Sequence, residues 1–128
     1  MLRLVTSIAT ASALAVAAAY ADEVHHNAFA DAVVGSWAQR AELCGTADKS
    51  NITIAAKEYS SADGKCTVET VVERAGEPGT IYSARARCAD EAGQFHAANL
   101  IARTESGGGF SFGTTFSDLK PYQRCPSK

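Results

Sequence analysis

The amino-acid sequence predicts an all-β domain, a small antiparallel barrel or sandwich of roughly seven or eight short strands. Several short segments alternate between apolar and polar residues, the pattern of a strand with one buried face. Clusters of glycine, proline, serine and aspartate separate these segments and are typical of turns. Four cysteines in the chain predict two disulfides that hold the domain together.

Residues 1–21 have the features of a secretory signal peptide. Arg3 gives a positively charged start, an apolar run continues to Ala19, and Ala19-Tyr20-Ala21 provides the small-residue cleavage pattern before Asp22. The strongly apolar stretch of roughly 15 residues is shorter than the ~20 needed for a transmembrane anchor. No cysteine stands at the junction to carry a lipid anchor. We therefore expect cleavage after Ala21 and a mature chain that is periplasmic or secreted, without a membrane anchor.

The mature chain is expected to form one domain that does not bind nucleic acid. Cleavage removes Arg3 and no acidic residue, so it makes the formal net charge one unit more negative than −2. Sequence-independent binding of DNA or RNA requires a basic surface, which this balance argues against. We assign residues 22–32 to an N-terminal tail or short helix and residues 33–128 to the β-barrel-like domain.

The four cysteines predict a disulfide framework. An even number of cysteines in an exported chain favours disulfides, because the periplasm and the extracellular space are oxidising. A zinc site is the alternative, and the absence of any C-x-x-C pair argues against it. The count alone leaves open how Cys44, Cys66, Cys88 and Cys125 are paired.

Strand geometry favours one pairing. Residues 65–74 and 80–88 both alternate, and residues 75–79 between them have the composition of a turn. In a hairpin centred near Glu77, Cys66 and Cys88 lie opposite each other. The same register predicts one buried face and one outer face with cross-strand acid–base pairs. The buried face would hold Val68, Val72, Tyr82, Ala84 and Ala86, and the outer face Glu69, Glu73, Arg85 and Arg87.

This pairing leaves Cys44 and Cys125 to connect the two ends of the domain. Closing a loop of ~80 residues is worth about 4 kcal/mol in the chain-entropy model. Outside the hairpin, the predicted strands cover residues 33–38, 51–59, 94–104, 110–116 and 122–125. The segment 94–104 is ambiguous, since either the set containing His96 and Leu100 or the set containing Phe95 and Ile101 fits an inward face.

The first and last strands carry a resemblance. Gly35-x-Trp37 on the first strand and Arg124 on the last resemble the signature of lipocalin-type barrels. The resemblance implies that Trp37 closes one end of the barrel, that Arg124 packs over its ring, and that Gly35 permits a close approach. The mature chain is too short for long rim loops. It therefore remains open whether inward Phe and Ile residues fill the barrel or a ligand cavity remains.

Two further resemblances concern small exported proteins. The segment 35–38, Cys44, the central cysteine pair and the segment 122–126 together resemble small exported bacterial proteins of unknown function, over most of residues 33–126. That resemblance implies no activity. More loosely, the G-x-W strand and the disulfides are similar to periplasmic inhibitors of secreted metalloproteases, whose N-terminal tail enters the protease cleft. Here the segment 22–33 would be that tail, although four cysteines and the missing C-x-L step depart from the family.

Candidate catalytic and metal-binding residues are few. His25 and His26 are weak candidates for copper or nickel, because cleavage after Ala21 makes them fourth and fifth while a square-planar amino-terminal site requires histidine third. No G-x-S-x-G or S-x-x-K motif supports a nucleophilic serine. Two interpretations are open for Arg85, Arg87 and Arg103. They form a basic stripe for an anionic ligand, or they belong to a salt-bridged outer face.

These observations predict a non-enzymatic binding or interaction module without a cofactor. Its partner would be an unidentified protein or small ligand in the periplasm. The alternative is a periplasmic protease inhibitor that acts through its N-terminal tail, the segment 22–33.

Overall fold

The computed structural model describes residues 23–76 and 79–127, and the predicted all-β fold class is confirmed. Eight strands form a closed antiparallel barrel, and one additional strand pairs with it. The nine strands in chain order are β1 Glu23–His26, β2 Gly35–Ala38, β3 Ile52–Ile54, β4 Glu58–Ser61, β5 Gly64–Arg74, β6 Gly79–Ala89, β7 Phe95–Glu105, β8 Phe110–Gly113 and β9 Lys120–Arg124. The predicted signal peptide, residues 1–21, lies outside the described residues.

The barrel is a simple up-and-down arrangement. Each strand from β2 to β9 pairs with the next one along the chain, and β2 pairs with β9 to close the ring. The extra strand, β1, pairs with β5. The edge of β5 that faces away from β6 has two partners. Residues 64–67 pair with β4 and residues 71–74 pair with β1. Closure matters physically because it removes the open sheet edges that promote aggregation.

The central hairpin confirms the predicted register only over its first part. Cys66 pairs with Cys88 and Val68 with Ala86, but an extra residue, Glu69, then interrupts the ladder. A bulge of one residue moves every following side chain to the opposite face of the strand. Val71 is therefore fully buried in place of the predicted Val72.

The same bulge corrects the predicted outer face. Glu73 pairs with Tyr82, a residue of the buried face, rather than lying outside beside arginines. The Glu73 carboxylate instead lies 3.4 Å from His26 Nε2, and Glu69 takes part in none of the ion pairs that the described residues form. The predicted acid–base ladder on the outer face is therefore wrong.

Three other local predictions are resolved or changed. In β7 the set Ala98, Leu100 and Ala102 faces inward with the buried residues of β6. The predicted strand over residues 51–59 is two strands, β3 and β4, because the chain turns back where the Ala55 N–H donates to the Glu58 carbonyl at 2.7 Å. The segment predicted as a tail or short helix, residues 22–32, is described from residue 23 onwards. Residues 23–26 form strand β1 and residues 27–32 contain bends and a turn.

Both predicted disulfides are confirmed. Cys66–Cys88 joins directly opposite residues of β5 and β6, and Cys44–Cys125 joins residues separated by 81 positions. Within the described residues no cysteine is left free. The helical segments of this part of the chain are two 3₁₀ turns of three residues, and none is long and apolar enough to cross a membrane.

Candidate functional site

One end of the barrel is closed by Trp37. Its side chain is only 5% exposed, and its indole N–H donates to the Val33 carbonyl at 2.9 Å. The indole stacks on Phe110, with ring centroids 3.8 Å apart, so Trp37 fills the space between strands β2 and β8. We call this end of the barrel the closed end, because the Trp37 ring packs against an aromatic neighbour and its N–H is bonded to a backbone carbonyl.

Arg124 covers the same ring from outside. The guanidinium carbon lies 4.4 Å from the Trp37 ring centroid, a cation–π distance. The two terminal nitrogens donate to the carbonyls of Val34 and Ala32, at 2.6 Å and 2.9 Å. Gly35 has a φ of +154°, and a Cβ there would stand 2.5 Å from Arg124 Nη1. A glycine is therefore required for the guanidinium to reach these carbonyls. This geometry places Gly35, Trp37 and Arg124 together, as the sequence predicts.

The N-terminal segment is also part of the closed end. Phe29 is 4% exposed and its N–H donates to the Ala56 carbonyl at 2.7 Å, while Val33 is fully buried. Together with the pairing of β1 to β5, these contacts hold residues 23–33 against the barrel.

The two candidate metal-binding histidines lie on this segment but do not converge. His25 and His26 are neighbours on β1, so their side chains point to opposite faces of the strand. His25 Nε2 lies 3.9 Å from Glu23, whereas His26 Nε2 lies 3.4 Å from Glu73. Among residues 23–76 and 79–127, no group of three or more histidine, cysteine, aspartate or glutamate residues is placed to hold a metal ion.

The opposite end of the barrel is open and contains two adjoining cavities. The connections β4–β5, β6–β7 and β8–β9 surround it. The smaller cavity has a volume of about 210 Å³ and the larger about 500 Å³. They share Tyr59, Asp63 and Thr114, so they are two halves of one barrel mouth separated by the Tyr59 side chain.

The smaller cavity, which we call the disulfide pocket, lies on the side of β5, β6 and β7. The bridge Cys66–Cys88 forms one wall, Ala98 and Leu100 add apolar surface, and His96 stands at the rim. Its volume is below the range of roughly 300–1,000 Å³ that is typical of small-molecule sites. This pocket alone therefore suits only a small chemical group.

The larger cavity, which we call the aromatic cleft, lies between β4 and the β8–β9 hairpin. Its lining residues are Tyr59, Asp63, Phe112, Gly113, Thr114, Asp118, Lys120 and Tyr122. Strand β2 pairs with β9 at Gln123 and Arg124, and the described ladder leaves Lys120 and Tyr122 without a β2 neighbour. Because β2 and β3 are short, they do not cover the beginning of β9, and the aromatic cleft occupies the space beside it.

Three aromatic rings from three different strands meet in the cleft. The centroids of Tyr59 and Phe112 are 5.0 Å apart with the rings tilted by 31°, and those of Phe112 and Tyr122 are 6.5 Å apart at 82°. Phe112 is only 4% exposed and forms the base, whereas both tyrosines are half-buried. Phe112 therefore packs against both tyrosine rings, and the two tyrosines offer the exposed ring surface of the cleft.

Burial controls the chemistry of Tyr59. Loss of solvent around the phenol raises the pKa of Tyr59 above its ordinary value, a hydrogen bond with Ser61 opposes the rise, and the negative charge of Asp63 adds to it. Tyr59 therefore stays neutral at physiological pH. It offers a ring face and a hydroxyl for hydrogen bonding, not a phenolate nucleophile or base.

A separate groove of about 520 Å³ lies on the outer face of β5, β6 and β7. Outward residues of these strands line it, including Arg85 and Ile101, and Phe116 forms one side with 59% of its surface exposed. The other two arginines of the predicted stripe are engaged elsewhere. The Arg87 guanidinium lies 4.3 Å from the Phe95 ring centroid, and Arg103 lies 3.4 Å from the Glu105 carboxylate. The outer face therefore does not present three free arginines.

Sequence reasoning missed the aromatic cleft. Phe112 belongs to a predicted alternating strand and Tyr122 to the predicted C-terminal strand, but nothing in the sequence brings them to Tyr59. Only barrel closure, through the pairing of β2 with β9, places these three strands around one mouth.

No protein-family model, curated protein or solved structure matches the chain in sequence or fold.

Proposed function

We propose that this protein is an exported, non-enzymatic binding module whose open barrel end receives a small ligand. The observation that carries the proposal is the aromatic cleft, whose volume of about 500 Å³ lies within the range of small-molecule sites. Concave, partly apolar surfaces with a few converging polar groups are typical of such sites, and the mouth of a β-barrel is one of their common locations.

Export is supported by the disulfides. Two bridges in a chain of this size are typical of an oxidising compartment, which agrees with the predicted signal peptide and a periplasmic or secreted location. The packing of Arg124 over Trp37 at one end supports the resemblance to lipocalin-type barrels, in which one end is closed and the other receives the ligand.

A non-enzymatic role is supported by the chemistry of the open end. Its cysteines are tied in a disulfide, its central phenol is held neutral, and His96 is exposed at the rim. Covalent catalysis by a side chain requires a nucleophile that is activated, for example by a base at hydrogen-bond distance. These groups support binding and orientation rather than chemical conversion.

The alternative, inhibition of a protease by the N-terminal segment, has less support. The segment would have to release the pairing of β1 with β5 and expose Phe29, which is 4% exposed in the barrel. Removal of a buried Phe from a core costs about 3–5 kcal/mol, so a free tail is disfavoured.

The proposal is tested by a thermal-denaturation screen of the mature protein against a library of small soluble metabolites. We expect at least one compound to raise the Tm of the unsubstituted protein, with most of that rise lost in Tyr59→Ala and Tyr122→Ala. Phe95→Ala is the matched control, because it removes an aromatic ring that is 61% exposed on the outer surface. The proposal fails if no compound raises the Tm, or if both tyrosine variants keep the full rise.

A further inference from the structure

We infer that the aromatic cleft binds an organic ammonium cation, with the alkylated nitrogen held against the half-buried rings of Tyr59 and Tyr122 and near the carboxylates of Asp63 and Asp118. This inference rests on the proposed function of the open end and names the chemical class of its ligand. It follows from the rings, the charges and the position of Lys120 in the cleft.

The rings supply the first part of the argument. The face of an aromatic ring carries partial negative charge, and rings set at different angles around one space attract a cation from several sides. Phe112 lies at the base and packs against both tyrosines, with the Tyr59 ring tilted by 31° and the Tyr122 ring at 82° to its own. The two half-buried tyrosine rings therefore supply the ring surface that a quaternary ammonium group, which needs no hydrogen bonds, can contact.

The carboxylates supply the second part. Asp63 lies in the β4–β5 turn and Asp118 in the β8–β9 connection, so two negative groups line the cleft from different parts of the mouth. The Asp118 carboxylate accepts a hydrogen bond from the Thr115 hydroxyl at 3.0 Å, which fixes its position. The negative charge of Asp63 also acts on the Tyr59 phenol, and the same field that disfavours a phenolate favours a cation.

Lys120 is the one cationic side chain in the lining of the cleft, and it makes the ligand's charge testable. It is exposed, and it takes part in none of the ion pairs that the described residues form within 4 Å. An arriving ammonium ion would be repelled by Lys120, whereas an anionic ligand would be attracted to it. Removal of this charge therefore changes affinity in opposite directions for the two classes of ligand.

The probes are choline and its neutral carbon analogue, in which a tert-butyl group replaces the trimethylammonium group. The two have almost the same shape, so a difference in affinity reports charge rather than volume. Titration calorimetry of the mature protein measures both. We expect choline to bind about tenfold or more tightly than its analogue, since cation–π contacts to several partly buried rings together exceed the ~1.4 kcal/mol that corresponds to a factor of ten.

Substitutions test which groups provide the selectivity. We expect Tyr122→Ala to weaken choline binding by about tenfold and Tyr122→Phe to retain most of it, because the ring face rather than the hydroxyl attracts the cation. Asp118→Asn should weaken binding and Lys120→Gln should strengthen it, each by roughly two- to fivefold for partly exposed charges. Phe95→Ala should leave the affinity unchanged, and circular dichroism checks that each variant is folded.

The outcomes separate this inference from the proposed function. If the neutral analogue binds as tightly as choline, the ammonium assignment is overturned while the open end remains a small-ligand site. If Lys120→Gln weakens choline binding, Lys120 does not repel the ligand as a bound cation requires, and the assignment is overturned. If neither probe binds at millimolar concentration, the assignment is overturned, and the metabolite screen decides the proposed function by itself.

Discussion

The two ends of the barrel use aromatic residues in opposite ways. At the closed end Trp37 lies against Phe110, its indole N–H reaches a carbonyl, and Arg124 covers its outer side. At the open end Tyr59 and Tyr122 are half-buried around a cavity of about 500 Å³. The difference teaches that the aromatic rings of the closed end are buried against one another, whereas the two tyrosine rings of the open end stay partly exposed.

The contrast predicts different consequences of substitution. Changes at the closed end should lower the free energy of unfolding, because they remove packed surface and satisfied hydrogen bonds. Changes at the open end should alter binding with a smaller effect on stability, because their side chains already face solvent in part.

The largest effect is expected from the disulfides. In the chain-entropy model, loss of Cys44–Cys125, which spans 81 residues, lowers the unfolding free energy by about 4–5 kcal/mol. Loss of Cys66–Cys88, which spans 22, lowers it by about 3–4 kcal/mol. Urea denaturation of the two paired Cys→Ala variants measures both values. Equal losses, or a greater loss for the open-end bridge, would show that local packing outweighs loop length.

Trp37→Ala is expected to lower the unfolding free energy by about 3–5 kcal/mol, since it removes a large buried ring and its stacking on Phe110. Tyr122→Ala at the open end is expected to lower it by about half as much or less, because Tyr122 is half-buried. Chemical denaturation followed by far-ultraviolet circular dichroism compares the two. A greater loss for Tyr122→Ala would contradict the assignment of the two ends.

Gly35→Ala is expected to cost roughly 1–3 kcal/mol, because alanine is strained at this φ and its Cβ would collide with the Arg124 guanidinium. The cost of the collision should disappear in the Arg124→Ala background, and only the backbone strain should remain. A double-mutant cycle measures this coupling. Additive costs would mean that Arg124 does not require the glycine.

The pH dependence of stability should reflect two phenols that are removed from solvent, in part for Tyr59 and almost wholly for Tyr82. Burial raises the pKa of Tyr59, and burial with the charge of Glu73 raises the pKa of Tyr82. The unfolded chain therefore loses these protons first, near the ordinary value of about 10. Stability is fully present below that pH and falls as the pH rises towards the folded values.

Tyr59→Phe and Tyr82→Phe should each reduce this alkaline loss, as measured by Tm between about pH 9 and 11. Each variant serves as the control for the other. An unchanged slope in both variants would mean that neither phenol is held in its neutral form by the fold.

The limits of sequence reasoning are clearest in the central hairpin. The alternation and the equal distance of Cys66 and Cys88 from the turn predict the register at the disulfide, and the structure confirms it. The pattern does not reveal the bulge at Glu69, because both Val71 and Val72 are apolar and either one satisfies a buried position. Which valine faces inward is decided by the strands on both sides of β5.

The N-terminal segment shows the same limit in another way. Residues 23–26 contain one glutamate, one valine and two histidines, a composition typical of a solvated tail. They nevertheless pair with the half of the β5 edge that the short strand β4 leaves free. A strand whose stability comes from backbone hydrogen bonds to a distant partner leaves little trace in its own side-chain pattern.

The sequence by itself determined the all-β class and both disulfide pairs, because strand alternation, turn composition and cysteine spacing are local properties of the chain. The Gly35–Trp37–Arg124 cluster was expected from the resemblance of these residues to the signature of lipocalin-type barrels. Only the tertiary structure decided the bulge, the docking of β1 and the meeting of Tyr59, Phe112 and Tyr122. Each of these depends on contacts between strands that are distant in sequence. Barrel closure brings those strands together, and no local pattern encodes the distance between them.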